Sequence, residues 1–168
     1  MNFLITGGVR SGKSAYAQKL ALDLSRSPIY LATSRRWDED FSKRIERHKL
    51  DRDDSWENIE IEKEISSIGR KKEPIVLDCI TLWLTNFYSD ENYDLQRTLD
   101  ASKEEMKKFL ELENTCIFIT NEIGMGGHAE TEIGRKFADL QGWFNQFLSS
   151  RVDQLILMVS GIPLKIKG

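Results

Sequence analysis

The sequence predicts an α/β fold built on a mostly parallel sheet, and two features of its hydrophobic pattern carry that prediction. Segments whose apolar residues lie about 3.6 positions apart, the period of an amphipathic helix, separate short apolar blocks. Alternating strands and helices are typical of a parallel sheet with helices packed on it. The blocks are rich in β-forming residues without clean alternation, as in strands covered on both faces, and they span residues 2–6, 28–33, 74–79, 115–120 and 154–159.

Three apolar stripes predict the helices. The first runs from about Lys13 to Ser25, the second contains Leu95 to Leu110, and the third contains Ile133 to Leu148. The tail at 161–167 alternates after a Gly-Ile-Pro turn, so we expect it to form an antiparallel edge strand in a C-terminal hairpin. A chain of 168 residues is the size of one domain, and we expect a single domain over 1–168.

Composition argues against several classes of protein. The formal net charge is −3, which provides no basic excess for nucleic acid or an anionic membrane, and we expect neither as a partner. Cys79 and Cys116 each lie inside an apolar block rather than in a spaced metal or disulfide pattern, which favours a reduced, cytoplasmic protein. No apolar run approaches the roughly 18 residues of a membrane span, so we expect none.

The strongest motif is G-x-x-x-x-G-K-S, from Gly7 to Ser14. In loops of this type the backbone amides surround phosphates, the lysine reaches the β and γ oxygens, and the serine hydroxyl binds Mg²⁺. A predicted strand leads into the motif and a predicted helix follows it, which places the positive end of the helix dipole at the phosphates. We therefore predict a P-loop fold in which the nucleotide contacts Gly7, Gly8, Val9, Arg10, Ser11, Gly12, Lys13 and Ser14.

Polar residues follow two of the predicted strands. Asp78 ends the block at 74–79, where a carboxylate would complete a Mg²⁺ site with Ser14, and the alternative is a turn residue at a strand end. Asn121 and Glu122 follow the block at 115–120. They either position water or substrate near the γ-phosphate or cap local structure, and the pattern leaves both interpretations open.

A basic segment at 41–56 carries the residue that would distinguish this protein from other nucleotide-binding proteins. Read as a helix, the segment places His48 on one stripe with apolar residues and surrounds it with Lys and Arg. Nearby cations disfavour protonation of the imidazole, and a neutral ring can attack a phosphate to form a phosphoramidate. A packed histidine and a solvated basic face are the alternatives.

Several segments together resemble one family. They are "TGGVRSGKS" (6–14), "RIERHKLDR" (44–52), "LDCITLWLTN" (77–86), "TNEIGMG" (120–126) and "LMVSGIPLKIK" (157–167). In this order the chain is similar to the bifunctional adenosylcobinamide kinase/adenosylcobinamide-phosphate guanylyltransferases of cobalamin biosynthesis, from about Phe3 to Lys167. The loop motif is generic, whereas the histidine segment and the closing segment are specific to this family.

The resemblance implies a three-layer, RecA-like P-loop fold, a homotrimer and two reactions. Adenosylcobinamide would be phosphorylated by ATP or GTP with Mg²⁺, and GMP from GTP would then be transferred to the phosphate through a guanylylated His48, giving adenosylcobinamide-GDP. Glu60 would accept the guanine N1 and N2 protons. The further nucleotide contacts implied by the resemblance are Thr33, Ser34, Arg35, Lys49, Leu50, Asp51, Arg52, Glu60 and Asp78.

Two other functions fit the loop motif by itself. One is a P-loop small-molecule kinase without guanylyltransferase activity, which would transfer phosphate and form no adduct. The other is a non-catalytic nucleotide switch, which would bind a partner according to the nucleotide and hydrolyse it slowly. A covalent GMP adduct on His48 separates the family prediction from both.

Overall fold

The computed structural model describes residues 1–35 and 54–168. Two short 3₁₀ turns lie at Ile65–Ile68 and Ile123–Gly126. The strands and helices in chain order are β1 (Asn2–Gly7), α1 (Lys13–Leu24), β2 (Ile29–Ala32), β3 (Glu57–Glu60), β4 (Ile75–Asp78), α2 (Ile80–Asp90), α3 (Leu95–Glu111), β5 (Cys116–Ile119), α4 (Glu132–Ser149), β6 (Gln154–Val159) and β7 (Ile162–Lys167).

The strands form one sheet in the order β3-β2-β4-β5-β1-β6-β7. Every neighbouring pair is parallel except β6 and β7, which form the antiparallel hairpin at the C-terminal edge. Both sequence predictions, the mostly parallel sheet and the edge hairpin, are confirmed. Because crossover connections place the strands of a parallel sheet in the same direction, all their carboxyl ends meet at one edge.

Helices cover both faces of the sheet, which gives three layers. Small residues of α1, Ala17 and Ala21, are fully buried against one face, so this helix lies close to the strands. The opposite face packs on α2, α3 and α4 through Trp83, Phe109 and Phe144. Successive strand residues point to opposite faces, so both layers draw on the same strands, with Leu4, Leu31, Leu77 and Phe118 on the second face and Ile5, Tyr30, Val76 and Ile117 on the first.

Polar caps determine where two helices begin. The carboxylate of Asp94 accepts a hydrogen bond from the Arg97 amide (2.9 Å) at the start of α3. The hydroxyl of Thr131 accepts one from the Gly134 amide (3.1 Å) at the start of α4. Each cap satisfies an amide that the helix itself leaves without a partner.

Two elements were absent from the sequence prediction. Strand β3 has the sequence ENIE, with three exposed residues of four, and it pairs with β2 through the backbone, so no apolar pattern marks it. Helix α2 does carry a helical period, with Ile80, Trp83, Leu84 and Phe87 buried on one side. Its β-branched and aromatic residues, which have modest helix propensity, obscured that period. The prediction of a helix at 41–56 falls mainly on residues 41–53, outside the described residues.

In the part of the chain that the structure describes, no helix has the length and apolar character to cross a membrane.

Candidate nucleotide site

The candidate site lies along the carboxyl edge of the sheet. Six parallel strands end there, in the order β3, β2, β4, β5, β1 and β6. Adjacent strands are about 4.8 Å apart, so the end of β3 lies roughly 19 Å from the end of β1. We therefore describe two regions, a loop region at β1, β5 and β4, and an edge pocket at β2 and β3.

The Gly7–Ser14 loop connects β1 to α1 and requires glycine at two positions. Gly7 and Gly12 have φ angles of 147° and 96°, which L-residues rarely adopt. A Cβ on Gly7 would lie 2.5 Å from the Met158 carbonyl oxygen, and one on Gly12 would lie 3.2 Å from the Gly161 Cα. The Gly161 amide donates a hydrogen bond to the Ser11 carbonyl (2.9 Å), so the β6–β7 turn supports the loop from behind.

Lys13 is held inside the loop. Its ammonium donates hydrogen bonds to the carbonyl oxygens of Gly7 (3.1 Å) and Gly8 (2.6 Å), and only 8% of the residue is exposed. Burial lowers the pKa of Lys13 below its ordinary value, while nearby Cys79 and Asp78 act in the opposite direction. A partly desolvated ammonium in a loop of backbone amides is a binding group for an anion.

Asp78 lies at the end of β4, opposite the first turn of α1. Its Oδ2 accepts hydrogen bonds from the Ser14 hydroxyl (3.1 Å) and from the Tyr30 hydroxyl (2.5 Å). Tyr30 in turn makes an edge-to-face contact with Trp56, with ring centroids 6.0 Å apart. The sequence did not predict this role of Tyr30, because an inward aromatic residue in a strand is indistinguishable from a core residue.

The Ser14 and Asp78 oxygens fit a magnesium ion. Hydroxyl and carboxylate oxygens are hard ligands, and nucleotide-bound Mg²⁺ uses one or two such protein ligands together with phosphate oxygens and water. Among residues 1–35 and 54–168, no group of three or more His, Cys, Asp or Glu is placed to hold a metal ion.

Asn121 and Glu122 follow β5, between the ends of β4 and β1. The Asn121 side chain donates a hydrogen bond to the Thr81 hydroxyl (2.9 Å) in the first turn of α2. The Glu122 carboxylate accepts hydrogen bonds from the Thr6 hydroxyl (2.7 Å) and the Asn145 amide (3.2 Å). The structure thus places Glu122 beside the strand that leads into the Gly7–Ser14 loop.

The edge pocket has a volume of about 330 Å³ at the ends of β2 and β3. Three of the predicted contacts, Ser34, Arg35 and Glu60, line it. Thr33 is different, since its side chain is fully buried and its hydroxyl donates a hydrogen bond to the Cys79 carbonyl (2.9 Å). The remaining lining residues are Ala32, Ile61 and Glu62.

Ion pairs hold one wall of the edge pocket. The Arg35 guanidinium contacts the carboxylates of Glu62 (2.7 Å) and Asp90 (2.9 Å), and the Lys63 ammonium lies 3.1 Å from Asp90. Hydrogen bonds from Arg35 lower the pKa of Asp90 to about 2, and those from Asp90 and Glu62 raise the pKa of Arg35. The sequence did not single out Glu62 or Asp90, which approach Arg35 only through the tertiary fold.

The predicted site residues fall into three groups. The Gly7–Ser14 loop and Asp78 come together in the loop region, and Ser34, Arg35 and Glu60 come together at the edge pocket. Thr33 stands apart from both groups, since its side chain is fully buried. The third group lies outside the described residues and consists of His48, Lys49, Leu50, Asp51 and Arg52.

Comparison with known proteins shows which family the chain belongs to. The family model described as cobinamide kinase / cobinamide phosphate guanyltransferase matches residues 3–166. The chain belongs to this family. Its relatives include the bifunctional adenosylcobalamin biosynthesis protein CobP of Pseudomonas aeruginosa, 34% identical with 100% of this chain and 98% of the relative covered. The protein CobU of Escherichia coli is also 34% identical, with 99% of this chain and 100% of the relative covered.

The chain also resembles solved structures of low sequence identity. One is the ATPase of a bacterial type III secretion system, with a TM-score of 0.56, 12% identity, and 93% of this chain and 50% of that chain covered. At this identity the likeness concerns the fold alone. The predicted three-layer P-loop NTPase fold is confirmed by it and by the sheet order.

Proposed function

We propose that the protein phosphorylates adenosylcobinamide with ATP or GTP and then transfers GMP from GTP to the new phosphate, giving adenosylcobinamide-GDP. The aminopropanol hydroxyl of the corrinoid is the phosphoryl acceptor. The observation that carries the proposal is a loop region built for phosphates in a chain that belongs to the cobinamide kinase / cobinamide phosphate guanyltransferase family. His48 forms the covalent guanylyl intermediate.

In the loop region, the proposed phosphate ligands are the Gly7–Ser14 amides and Lys13. Ser11 supports this role, because its hydroxyl is buried and has no hydrogen-bond partner in the described part of the chain. Ser14 and Asp78 hold the Mg²⁺ that accompanies the nucleotide, and this ion neutralises charge on the phosphates. Among these groups the Lys13 ammonium supplies the fixed positive charge of the protein itself.

The edge pocket is the proposed site of the guanine base. Glu60, Ser34 and Arg35 line a space large enough for a planar heterocycle, and a carboxylate can accept both the N1 and N2 protons of guanine. Thr33 contributes through its backbone, since its side chain is buried. The residues that complete the proposed nucleotide contacts are Lys49, Leu50, Asp51 and Arg52, on the segment that carries His48.

We also propose a single domain and a homotrimer. All seven described strands share one sheet, which supports a single domain over 1–168. The edge strand β7 exposes Ile162, Leu164 and Ile166, which lie at alternate positions on one face and supply apolar area for contact with other copies of the chain. Sedimentation equilibrium, which measures the mass of the assembly, tests the trimer. Two buried thiols, Cys79 and Cys116, support a cytoplasmic location.

The deciding experiment labels the protein with GTP radioactive at the α-phosphate in the presence of Mg²⁺. We expect an acid-labile, hydroxylamine-sensitive GMP adduct that His48→Ala abolishes. His128→Ala is the matched control, because His128 is exposed and follows a different strand, and this variant should label like the wild-type protein.

A parallel assay with GTP labelled at the γ-phosphate separates the two reactions. His48→Ala should still transfer the γ-phosphoryl group to adenosylcobinamide, because His48 acts only on the α-phosphate. Full labelling of His48→Ala would contradict the proposed intermediate. Phosphoryl transfer without any adduct in the wild-type protein would indicate a kinase, and neither reaction would indicate a nucleotide switch.

A further inference from the structure

Glu122 lies next to the position where the loop region would hold the terminal phosphates. Its backbone amide donates a hydrogen bond to the Gly7 carbonyl oxygen (3.3 Å), and the Lys13 ammonium donates to the same oxygen (3.1 Å). In loops of this type the lysine reaches the β and γ oxygens. The residue that shares a carbonyl oxygen with this lysine therefore lies beside the part of the loop that would hold the γ-phosphate.

The side chain of Glu122 does not serve as a local cap. Glu122 precedes the turn Ile123–Gly126 at its N-cap position, but its carboxylate makes no hydrogen bond to the amides of that turn. Its Oε1 instead accepts from the Thr6 hydroxyl (2.7 Å) and the Asn145 amide (3.2 Å). The sequence left two interpretations open, positioning near the γ-phosphate and local capping. The contacts of Glu122 do not support the capping role.

A buried polar network aims this carboxylate. Asn145 Oδ1 accepts hydrogen bonds from the Thr120 hydroxyl (2.8 Å) and the Gln141 amide (3.0 Å), while Asn145 Nδ2 donates to Glu122. Thr120 and Gln141 are 0% and 1% exposed. Buried polar groups add little stability compared with an apolar core of the same volume. A connected polar network that ends on a half-buried carboxylate therefore indicates that the network orients this carboxylate.

One carboxylate oxygen of Glu122 takes no part in this network. Both side-chain donors, Thr6 and Asn145, contact Oε1, and in residues 1–35 and 54–168 no hydrogen bond is made to Oε2. One oxygen is therefore anchored while the other can accept a proton. An anchored carboxylate with one unengaged oxygen has an acceptor available for general-base catalysis.

The other carboxylates at this edge of the sheet are less suited to that role. Asp78 Oδ2 already accepts from two hydroxyls, those of Ser14 and Tyr30, and it fits a metal ligand. Glu60 ends β3, four strands from β1 and so roughly 19 Å away. Glu122 follows β5, the strand directly beside β1, so it is a carboxylate at the loop region that the proposed metal site does not use.

From these contacts we infer that Glu122 is the general base of the phosphoryl-transfer step, an inference that rests on the proposed kinase reaction. Glu122 Oε2 takes the proton of the acceptor alcohol as its O–H bond breaks. The alcohol oxygen forms a bond to the γ-phosphorus, and the bond from that phosphorus to the β-phosphate oxygen breaks, leaving the nucleoside diphosphate with the electron pair. The proton then passes to water, which restores the carboxylate. Thr6 and Asn145 act as positioning residues.

The test compares Glu122→Gln with Glu130→Gln, a matched control that makes the same charge change at an exposed position of the following loop. Transfer of labelled γ-phosphate from ATP to adenosylcobinamide is measured alongside GMP-adduct formation from GTP. Glu122→Gln should lower kcat of phosphoryl transfer by about 100- to 10 000-fold, with the KM for ATP changed less than about threefold. The adduct should form at the wild-type rate, because attack by histidine needs no proton from the alcohol.

Two further variants distinguish a base from a structural residue. In Glu122→Ala, added formate should restore part of the phosphoryl-transfer rate by supplying a carboxylate to the vacated space. Thr6→Val, which removes the 2.7 Å hydrogen bond to Oε1, should lower kcat about tenfold, and Thr6→Ser should recover it. A thermal melt of each variant checks that it folds like the wild-type protein.

The outcomes separate failure of the inference from failure of the proposed function. If the wild-type protein transfers phosphate and Glu122→Gln retains kcat within about threefold, Glu122 is not the base. Loss of ATP binding together with transfer in Glu122→Gln would equally overturn the assignment and make Glu122 a binding residue. A wild-type protein that transfers no phosphate would overturn the kinase reaction itself, and the inference with it.

Discussion

The loop region and the edge pocket, two parts of the same sheet edge, are built in different ways. Lys13 in the loop region is 8% exposed and bonded to backbone carbonyls of its own loop. In the edge pocket, the side chains of Arg35 and Glu62 are 27% and 52% exposed and are held by an ion pair. The buried, backbone-bonded loop region suits groups whose position must not change during phosphoryl transfer. The more exposed edge pocket suits recognition of a base, because such recognition tolerates movement of charged side chains.

The largest expected effect tests whether the two regions serve one nucleotide. Lys13→Ala should lower both phosphoryl transfer and GMP-adduct formation by about 100- to 1000-fold, because both reactions need the triphosphate held at the loop. Rates with γ- and α-labelled GTP measure this. The matched control is Lys19→Ala, which removes an exposed ammonium from the same helix and should leave both rates unchanged. Loss of only one reaction would mean that the regions bind separate nucleotides.

A smaller effect is expected on the preference for GTP over ATP, which would belong to the edge pocket and not to the loop region. Glu60→Gln should reduce the preference for GTP over ATP by about 10- to 100-fold, because the lost carboxylate would have accepted two guanine protons. Competition between GTP and ATP for binding measures the preference. Glu57→Gln, on the same strand, is the control and should keep it. Equal loss of ATP binding in Glu60→Gln would place Glu60 at the phosphates instead.

The smallest effect concerns stability of the edge pocket. Because the folded-state pKa of Asp90, about 2, lies below its ordinary value of 3.8, its ion pairs stabilise the fold above about pH 4. This contribution disappears as the pH falls through 2. Asp90→Asn should lower the free energy of unfolding by about 0.5–1 kcal/mol at pH 7, a value reduced by solvent exposure.

Urea unfolding of Asp90→Asn and the wild-type protein at pH 7 and at successively lower pH measures this difference. The gap between the two proteins should shrink as the pH decreases below 4, since Asp90 is then protonated in the unfolded wild-type chain and, near pH 2, in the folded protein too. Glu104→Gln serves as the control, because Glu104 forms a fully peripheral pair with Lys107 (3.7 Å) and should change stability little at any pH. A gap that stays constant with pH would show that Asp90 stabilises the fold by packing rather than by charge.

Sequence patterns predicted most of the fold and one half of the candidate site. Strand β6 at Gln154–Val159 coincides with the predicted block, because five of its six residues form a continuous apolar run. Strand β3 was missed because its polar edge position leaves no apolar signal. The Gly7–Ser14 loop was predicted because its chemistry depends on consecutive residues. The role of Tyr30 at Asp78 was not, since the two residues are 48 positions apart.

By itself, the sequence determined the alternation of strands and helices and the Gly7–Ser14 loop. These features depend on local periodicity and on glycines where the backbone requires positive φ, and both can be read over a few consecutive residues. Only the tertiary structure decided that Glu122 joins Thr6, 116 positions away, and that Arg35 joins Asp90, 55 positions away. Hydrogen bonds and ion pairs between distant residues depend on strand order and on the direction of each side chain, which no local pattern encodes.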